Sequence, residues 1–250
     1  MRWDTVILDA IDTKDEEKID IGKLTKALKV AGSEWLNENK ALLKACMTNN
    51  LEVAQILLTV EGIDVNQSDE DGWTPLYCAC VNKFVGLVRL LLAVPDIRVN
   101  QATKDGSSPL FVACLLRHFF LVHLLLTVPD IQVNQANGQG ATPLLVASQQ
   151  GFLNCVHLLL RANGIQINQA THEGATPLFV ACIHDHVQVV QALLARKEIQ
   201  INKANRSGVT PLHIACEHDH LNVIAALLAR KGVQINKANN DGVTPLHIAC

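Results

Sequence analysis

Large aromatic side chains are nearly missing: six Phe, three Trp and one Tyr make up 4% of the 250 residues, although hydrophobic residues together reach 49%. A core with so few rings must be filled by aliphatic and small side chains, which suits closely stacked short helices better than an ordinary enzyme core. Excess charge of either sign is also lacking. Residues 1–39 hold nine Asp/Glu against six Lys/Arg, a balance of −3 that equals the formal net charge of the chain, so residues 40–250 sum to zero. A neutral body without a basic stripe excludes nucleic acid as the expected partner, because such binding needs clustered Lys/Arg on phosphates. No run of about 18 apolar residues is present, which excludes a predicted membrane span. The N-terminal stretch MRWDTVILDAIDTKDEE carries acids where a signal peptide needs an apolar core. An intracellular protein, cytoplasmic or nuclear, is expected.

Motifs of catalysis are absent as well. There is no phosphate-binding glycine loop, no G-x-S-x-G, no H-E-x-x-H and no kinase signature. Gly138 and Gly140 form a GQG too short to cradle a nucleotide. No cofactor and no enzymatic activity are expected.

What the chain does have is an internal repeat. TPL begins at Thr74, Thr142, Thr176, Thr210 and Thr244, with a serine variant at Ser108, and the spacing throughout is 34 residues or its multiple. Asn66, Asn100, Asn134, Asn168, Asn202 and Asn236 keep the same period, as do Gly72, Gly106, Gly140, Gly174, Gly208 and Gly242. Thr or Ser before Pro predicts a helix start, since the hydroxyl caps a free N–H and Pro at the first position sacrifices no hydrogen bond. The apolar spacing in Leu212–Ala229 predicts two short helices around a tight turn near Asp219. A glycine turn then leads to the next TPL. Neither helix can bury its apolar face alone, so neighbours must stack.

TPLHIAC at Thr210–Cys216 carries the ankyrin signature T-P-L-H-x-A, and over residues 40–250 the chain resembles the ankyrin-repeat family. The resemblance implies an all-α solenoid of stacked helix-turn-helix units joined by hairpin-like loops. It divides the chain into an N-terminal acidic, amphipathic helical segment at 1–39 and a repeat domain at 40–250. The latter comprises a capping unit 40–73 in which KAL replaces TPL, five full units over 74–243, and a truncated unit 244–250. The period departs from the family's 33, and the extra residue is placed in loops such as Ala93–Asn100, where it costs little closure entropy. The family's glycine between the helices survives only as Gly151. Lys83 and Arg117 at that position would be mildly strained in a left-handed conformation. Ile21, Leu24 and Leu28 predict an extra amphipathic helix covering the first repeat. A chain ending in mid-repeat at Cys250 reads as a fragment of a longer protein.

Six of the eight cysteines (Cys46, Cys80, Cys114, Cys182, Cys216, Cys250) share one repeat phase, and Cys78 and Cys155 fall on other apolar phases. All eight are therefore read as core residues, free thiols behaving as small hydrophobes. The HDH triplets at His184–His186 and His218–His220 resemble ligand sets, but equivalent histidines lie about 8–10 Å apart and no third ligand is evident, so no metal is expected. The resemblance implies asparaginyl hydroxylation at the periodic asparagines. Their simpler reading is hydrogen bonding within their own turn.

The resemblance places function on the hairpin tips and the exposed side of the first helices. The candidates are Glu70, Asp71, Trp73, Val81 and Asn82; Lys104, Asp105, Ser107, Leu115, Leu116 and Phe120; Gln139, Gln149 and Gln150; His172, Glu173, Ile183 and His184; and Arg206, Ser207, Glu217 and His218. Trp73 and the apolar LLRHFF at Leu115–Phe120 mark the expected docking site, because other repeats carry small or polar residues at several of these positions. The expected function is a monomeric, non-catalytic scaffold for another protein. Alternatives are an accessory region of a longer enzyme or channel, and a Cys/His metal or redox protein.

Overall fold

A computed structural model describes residues 2–13 and 20–249; the expectations for Cys250 and for the acidic run at 15–17 lie outside them. The described residues form helices and no strand. Helix α1 is Trp3–Asp12 and α2 is Ile21–Glu38, after which the pairs begin. These are α3 (Ala41–Met47) with α4 (Leu51–Leu57), α5 (Pro75–Val81) with α6 (Val85–Leu92), and α7 (Pro109–Leu115) with α8 (Phe119–Leu126). Next come α9 (Pro143–Gln149) with α10 (Leu153–Leu160), α11 (Pro177–Ile183) with α12 (Val187–Leu194), α13 (Pro211–Glu217) with α14 (Leu221–Leu228), and finally α15 (Pro245–Ala249). No helix among the described residues is long and apolar enough to cross a membrane.

Each first helix starts where the sequence predicts. Thr74, Thr142 and Thr176 accept from the N–H three residues on at 3.1 to 3.2 Å, and Ser108 does the same from Phe111 at 3.2 Å. Lys40 cannot, and enters α3 from a left-handed conformation with φ 51°. The turns between paired helices pass through positive φ at Asn49, Lys83, Arg117, Gly151, Asp185 and Asp219. Arg117 gains a compensating contact: its guanidinium lies 4.8 Å from the ring centroid of Phe152.

The chain forms two compact units, Met1–Val112 and Ala113–Cys250, and the division falls inside α7. In the first, α3 packs on α5 and α4 on α6, so first helices stack on first and second on second. In the second, α9, α11, α13 and α15 form one such row and α8, α10, α12 and α14 the other. The core phases repeat with the stack. Leu87 and Leu91 of α6 recur as Leu121 and Leu125, Val189 and Leu193, and Val223 and Leu227, all within 1% of complete burial. Each such aliphatic side chain contributes roughly 1.5–3 kcal/mol of transfer free energy when fully buried.

Helices α1 and α2 pack directly on the first repeat. Both α1 and α2 rest on α3, burying Ile7, Ile11, Leu24, Leu28 and Leu36, whereas Ile21 is exposed. The carbonyls that α1 cannot satisfy internally find partners in that repeat. Asn50 Nδ2 donates to Ala10 O at 2.8 Å, and Thr48 Oγ1 lies 3.0 Å from Ile11 O. Asn50 Oδ1 meanwhile caps α4 through Val53 N–H.

Where the sequence suggested bonds within their own turns, the side chains of Asn66, Asn134, Asn168 and Asn202 bridge to the next repeat. Asn66 Nδ2 donates to Asp96 O at 2.8 Å while its Oδ1 accepts from Arg98 N–H at 2.7 Å. In the second unit Asn134 does this with Gly164 and Gln166, Asn168 with Glu198 and Gln200, and Asn202 with Gly232 and Gln234. Each loop thus presents one carbonyl and one N–H at the spacing of a primary amide. Asn37 in α2 makes the same pair of bonds with Gly62 O and Asp64 N–H, so α2 supplies the first rung. We expect Asn168→Ala to lower folding stability by about 1–2 kcal/mol, the worth of two net hydrogen bonds. Asn236, exposed and without such a bridge among the described residues, is the control, and Asn236→Ala should be near neutral. Equal denaturation midpoints for the two variants would remove the ladder as a stabilising element.

Candidate partner-binding surface

The hairpin tips are built around a residue that sequence reasoning passed over, three positions before each periodic glycine. Asn137 Oδ1 accepts from Gln139 N–H at 3.1 Å and from Ala141 N–H at 2.9 Å, while its own N–H donates to Ala141 O. Asp69, Asn205 and Asn239 repeat that pattern. Thr103 and Thr171 use a hydroxyl instead, and Thr103 also bonds the Asp105 carboxylate. The signal was present as a 34-residue recurrence of short polar side chains, the types that close turns on their own backbone. Hydrogen bonds from Thr103 and Ser107 hold the Asp105 carboxyl below the ordinary carboxylate value, despite a smaller opposing effect of burial.

The glycines are required for two reasons, one of them foreseen. Gly174 has φ 84°, and a Cβ there would also lie 2.9 Å from Asn205 Cα in the next tip. This close approach brings backbones into contact: Arg206 N–H donates to Glu173 O at 3.0 Å, and His172 N–H donates to Gln139 O at 3.0 Å. Lys104 N–H to Asp71 O and Asn240 N–H to Ser207 O complete the series. Within each compact unit the tips form a row whose backbone is fixed and whose side chains project outward.

Most of the expected site residues are exposed. Glu70, Asp71, Lys104 and Asp105 are exposed at tips of the first unit, and Gln139, His172, Glu173, Arg206 and Ser207 at tips of the second. Glu173 and Arg206 form an exposed ion pair at 3.2 Å, of the kind worth little in water. At the first helices and the turns after them, Asn82, Leu115, Leu116, Gln150, His184, Glu217 and His218 are exposed, as is Phe120 at the start of α8. Gln149, Val81 and Ile183 are only half-buried. Ser107 is buried instead, its hydroxyl donating to Asp105 at 2.9 Å.

Trp73 differs from its expectation too. Its indole is half-buried and stacks edge-on against Tyr77 at 5.2 Å, so it packs on its own repeat and is not a free anchor. The Tyr77 hydroxyl, pushed up to about 12 mainly by burial, bonds to Thr103, linking that ring to the next tip. In the unit that begins at Thr210 the equivalent His213 caps its own helix through Thr210 and reaches Val243 O at 3.0 Å.

The histidine triplets separate into tie and surface. His186 Nε2 contacts Gln149 O at 2.9 Å and His220 Nδ1 contacts Cys182 O at 2.9 Å, each at the end of the preceding repeat's first helix. Burial, and then the neighbouring His186, His218 and His220, hold His184 below its ordinary value. Among the described residues no three His, Cys, Asp or Glu are grouped to hold a metal ion.

Cys46, Cys78, Cys80, Cys114, Cys155 and Cys182 are buried. Burial pushes their thiols up, Cys78 to about 12. Cys216 departs from the core assignment, being half-buried.

Comparison with known proteins places these features in context. The family described as ankyrin repeats (3 copies) matches residues 18–103, 86–171, 110–205, 167–239 and 202–250. No curated protein sequence matches the chain. Among solved structures, the ankyrin repeat domain of Bcl-3, described as a unique member of the IkappaB protein family, is similar at 25% identity and a TM-score of 0.75. That match covers 84% of this chain and 93% of Bcl-3's. The human ASB11 ankyrin repeat domain is similar at 28% identity and TM-score 0.69, covering 84% and 91%. EF0377, an ankyrin repeat protein, shares the fold at 20% identity and TM-score 0.71, covering 76% and 97%.

Thiol reactivity tests the burial pattern, because the thiolate is the reactive species and a raised pKa depletes it. With a maleimide at neutral pH, Cys216 should be modified first among Cys46, Cys80, Cys114, Cys182 and Cys216, and the other four only on unfolding. Peptide mass spectrometry that finds Cys80 or Cys114 modified as fast as Cys216 would reject the packing described for those helices.

Proposed function

Because the chain belongs to the ankyrin-repeat family, we propose that it is a non-catalytic scaffold holding another protein against its hairpin tips and the solvent-facing side of its first helices. Ankyrin repeats are generally protein-interaction modules. The observation that carries the reading is the row of tips, whose backbone links recur from repeat to repeat while the projecting side chains change. A surface whose backbone is already fixed loses little backbone conformational entropy on binding. In the first unit that row presents Glu70, Asp71, Lys104 and Asp105; in the second, Gln139, His172, Glu173 and Arg206. Asn82, Leu116, Gln150, His184, Glu217 and His218 continue it onto the first helices. We further propose that residues 1–39 close the N-terminal end of the stack in place of a repeat, a role supported by Asn37 and by the ties from Asn50 and Thr48. We also propose that the working form is a monomer.

Site-specific photocrosslinking tests this. Benzoylphenylalanine introduced at Asp71, Gln150 or His172 in the full chain, expressed in its native cells, should capture the same protein. Benzoylphenylalanine at Gln55 or Gln191, exposed on second helices, should not. Capture only from the second-helix positions would overturn the assignment of the surface.

A further inference from the structure

The loops that follow the second helices change character along the second compact unit. Those after α10, α12 and α14, residues 161–166, 195–200 and 229–234, hold Arg161, Arg196, Lys197, Arg230 and Lys231 against one acid, Glu198. The loop after α8, residues 127–132, has Asp130 and no Lys or Arg. Net neutrality of the repeat domain therefore conceals a local cationic stretch. The asparagine ladder holds these loops side by side. Asn134 reaches Gly164 and Gln166, Asn168 reaches Glu198 and Gln200, and Asn202 reaches Gly232 and Gln234. The cations thus stand on three successive rungs, about 8–10 Å apart as stacked helices are.

Stability of the helix ends does not account for them. A cation after a helix C-terminus meets the negative end of the dipole, yet the stack stands without one after α8. There Val128 and Pro129 occupy the phases of Arg196 and Lys197 and of Arg230 and Lys231. Arg196 is half-buried, 4.0 Å from Glu198. Arg161, Lys197, Arg230 and Lys231 are exposed and form no ion pair among the described residues. At the α8 end of the row lies a hollow of about 370 Å3, lined from the loop after α8 to the loop after α10. Leu126, Val128, Pro129, Ile131 and Leu158 give it apolar walls, and Arg161 belongs to the same lining.

We infer that this loop edge is a docking site for an extended acidic segment of another protein. An aliphatic side chain of the segment fills the hollow, and its carboxylates meet Arg161, then Lys197, then Arg230 and Lys231. An extended chain advances about 3.3 Å per residue, so acids about three residues apart match the rungs. Charge complementarity selects an anion, and two features select a peptide among anions. Bases of a single-stranded nucleic acid stack on aromatic rings, and these four loops contain none. An anionic bilayer surface is flat and would leave the hollow unfilled. The edge shares no residue with the tip surface, so it stands or falls independently of that reading.

A phage library of random twelve-residue peptides, selected on the full chain, tests the edge. Counter-selection uses a variant that combines Arg161→Gln, Lys197→Gln, Arg230→Gln and Lys231→Gln. Selected peptides should carry an aliphatic residue towards one end and Asp or Glu about three positions apart. By fluorescence anisotropy, Lys197→Gln and Lys231→Gln should each weaken a synthetic consensus peptide about two- to fivefold, as for an exposed ion pair. Added salt should weaken it further. Replacing the peptide's aliphatic residue by Ala should cost about tenfold on the wild-type chain. Replacing the acid that faces Lys197 by its amide should cost as much as Lys197→Gln does, and nothing more on that variant. Both peptide changes are read on the wild-type chain, so they decide the matter even if the combined variant loses stability. Peptides that lack acids, tolerate loss of the aliphatic residue, or enrich equally on the combined variant would overturn the inference. So would tighter binding of polyuridylate or of phosphatidylserine vesicles than of any selected peptide.

Discussion

A helix of seven residues has too few internal hydrogen bonds to persist alone, and a pair of them cannot bury its own apolar faces. Everything else in this protein follows from that shortfall. Each repeat must borrow its stability from the next, so the bonds that matter run between repeats. Three lines of hydrogen bonds do so within each compact unit. The asparagine amides bridge neighbouring loops. The residue before a second helix ties back to the helix that precedes its repeat in the stack, His186 to α9 and Asn50 to α1. The tips join through their backbones. The apolar core supplies the non-directional attraction, and these lines fix its spacing.

This dependence explains what could be read from one sequence. Positions that every repeat needs must recur, so Thr-Pro caps, buried leucines and positive-φ glycines were legible from their common phase. Direction was not legible. An asparagine that bonds its own turn and one that bonds the next loop leave the same 34-residue mark, because both partners recur with it. The turn-organising position of Asp69, Thr103 and Asn137 was hidden for a different reason. Carboxylate, hydroxyl and amide all accept from the same N–H groups, so its chemistry is conserved through the chain while its identity is not.

The ends and the aromatics escaped for a third reason: they occur once. Residues 1–39 have no repeat to be compared with, and only the structure shows Asn37 taking the place of a ladder asparagine. Trp73 appeared free because its counterparts are small. Its actual neighbour is Tyr77, itself an exception at a position held elsewhere by Phe, Leu or His. Two exceptions that pack on each other signify a local core solution. An exception left in solvent, such as Phe120, has no such structural explanation.

That contrast gives a physical criterion for finding function in a repeat protein from one chain. Stacking constrains every position that contacts a neighbouring repeat, and it constrains all repeats alike. Departures at such positions must be compensated within the stack, as Arg117 is by Phe152 and Ser107 by Asp105. Departures without compensation must be maintained by something outside it, or carry no benefit at all. Phe120 and Arg161 meet that criterion at adjoining second helices, and the tip side chains meet it wherever the fixed backbone lets them vary.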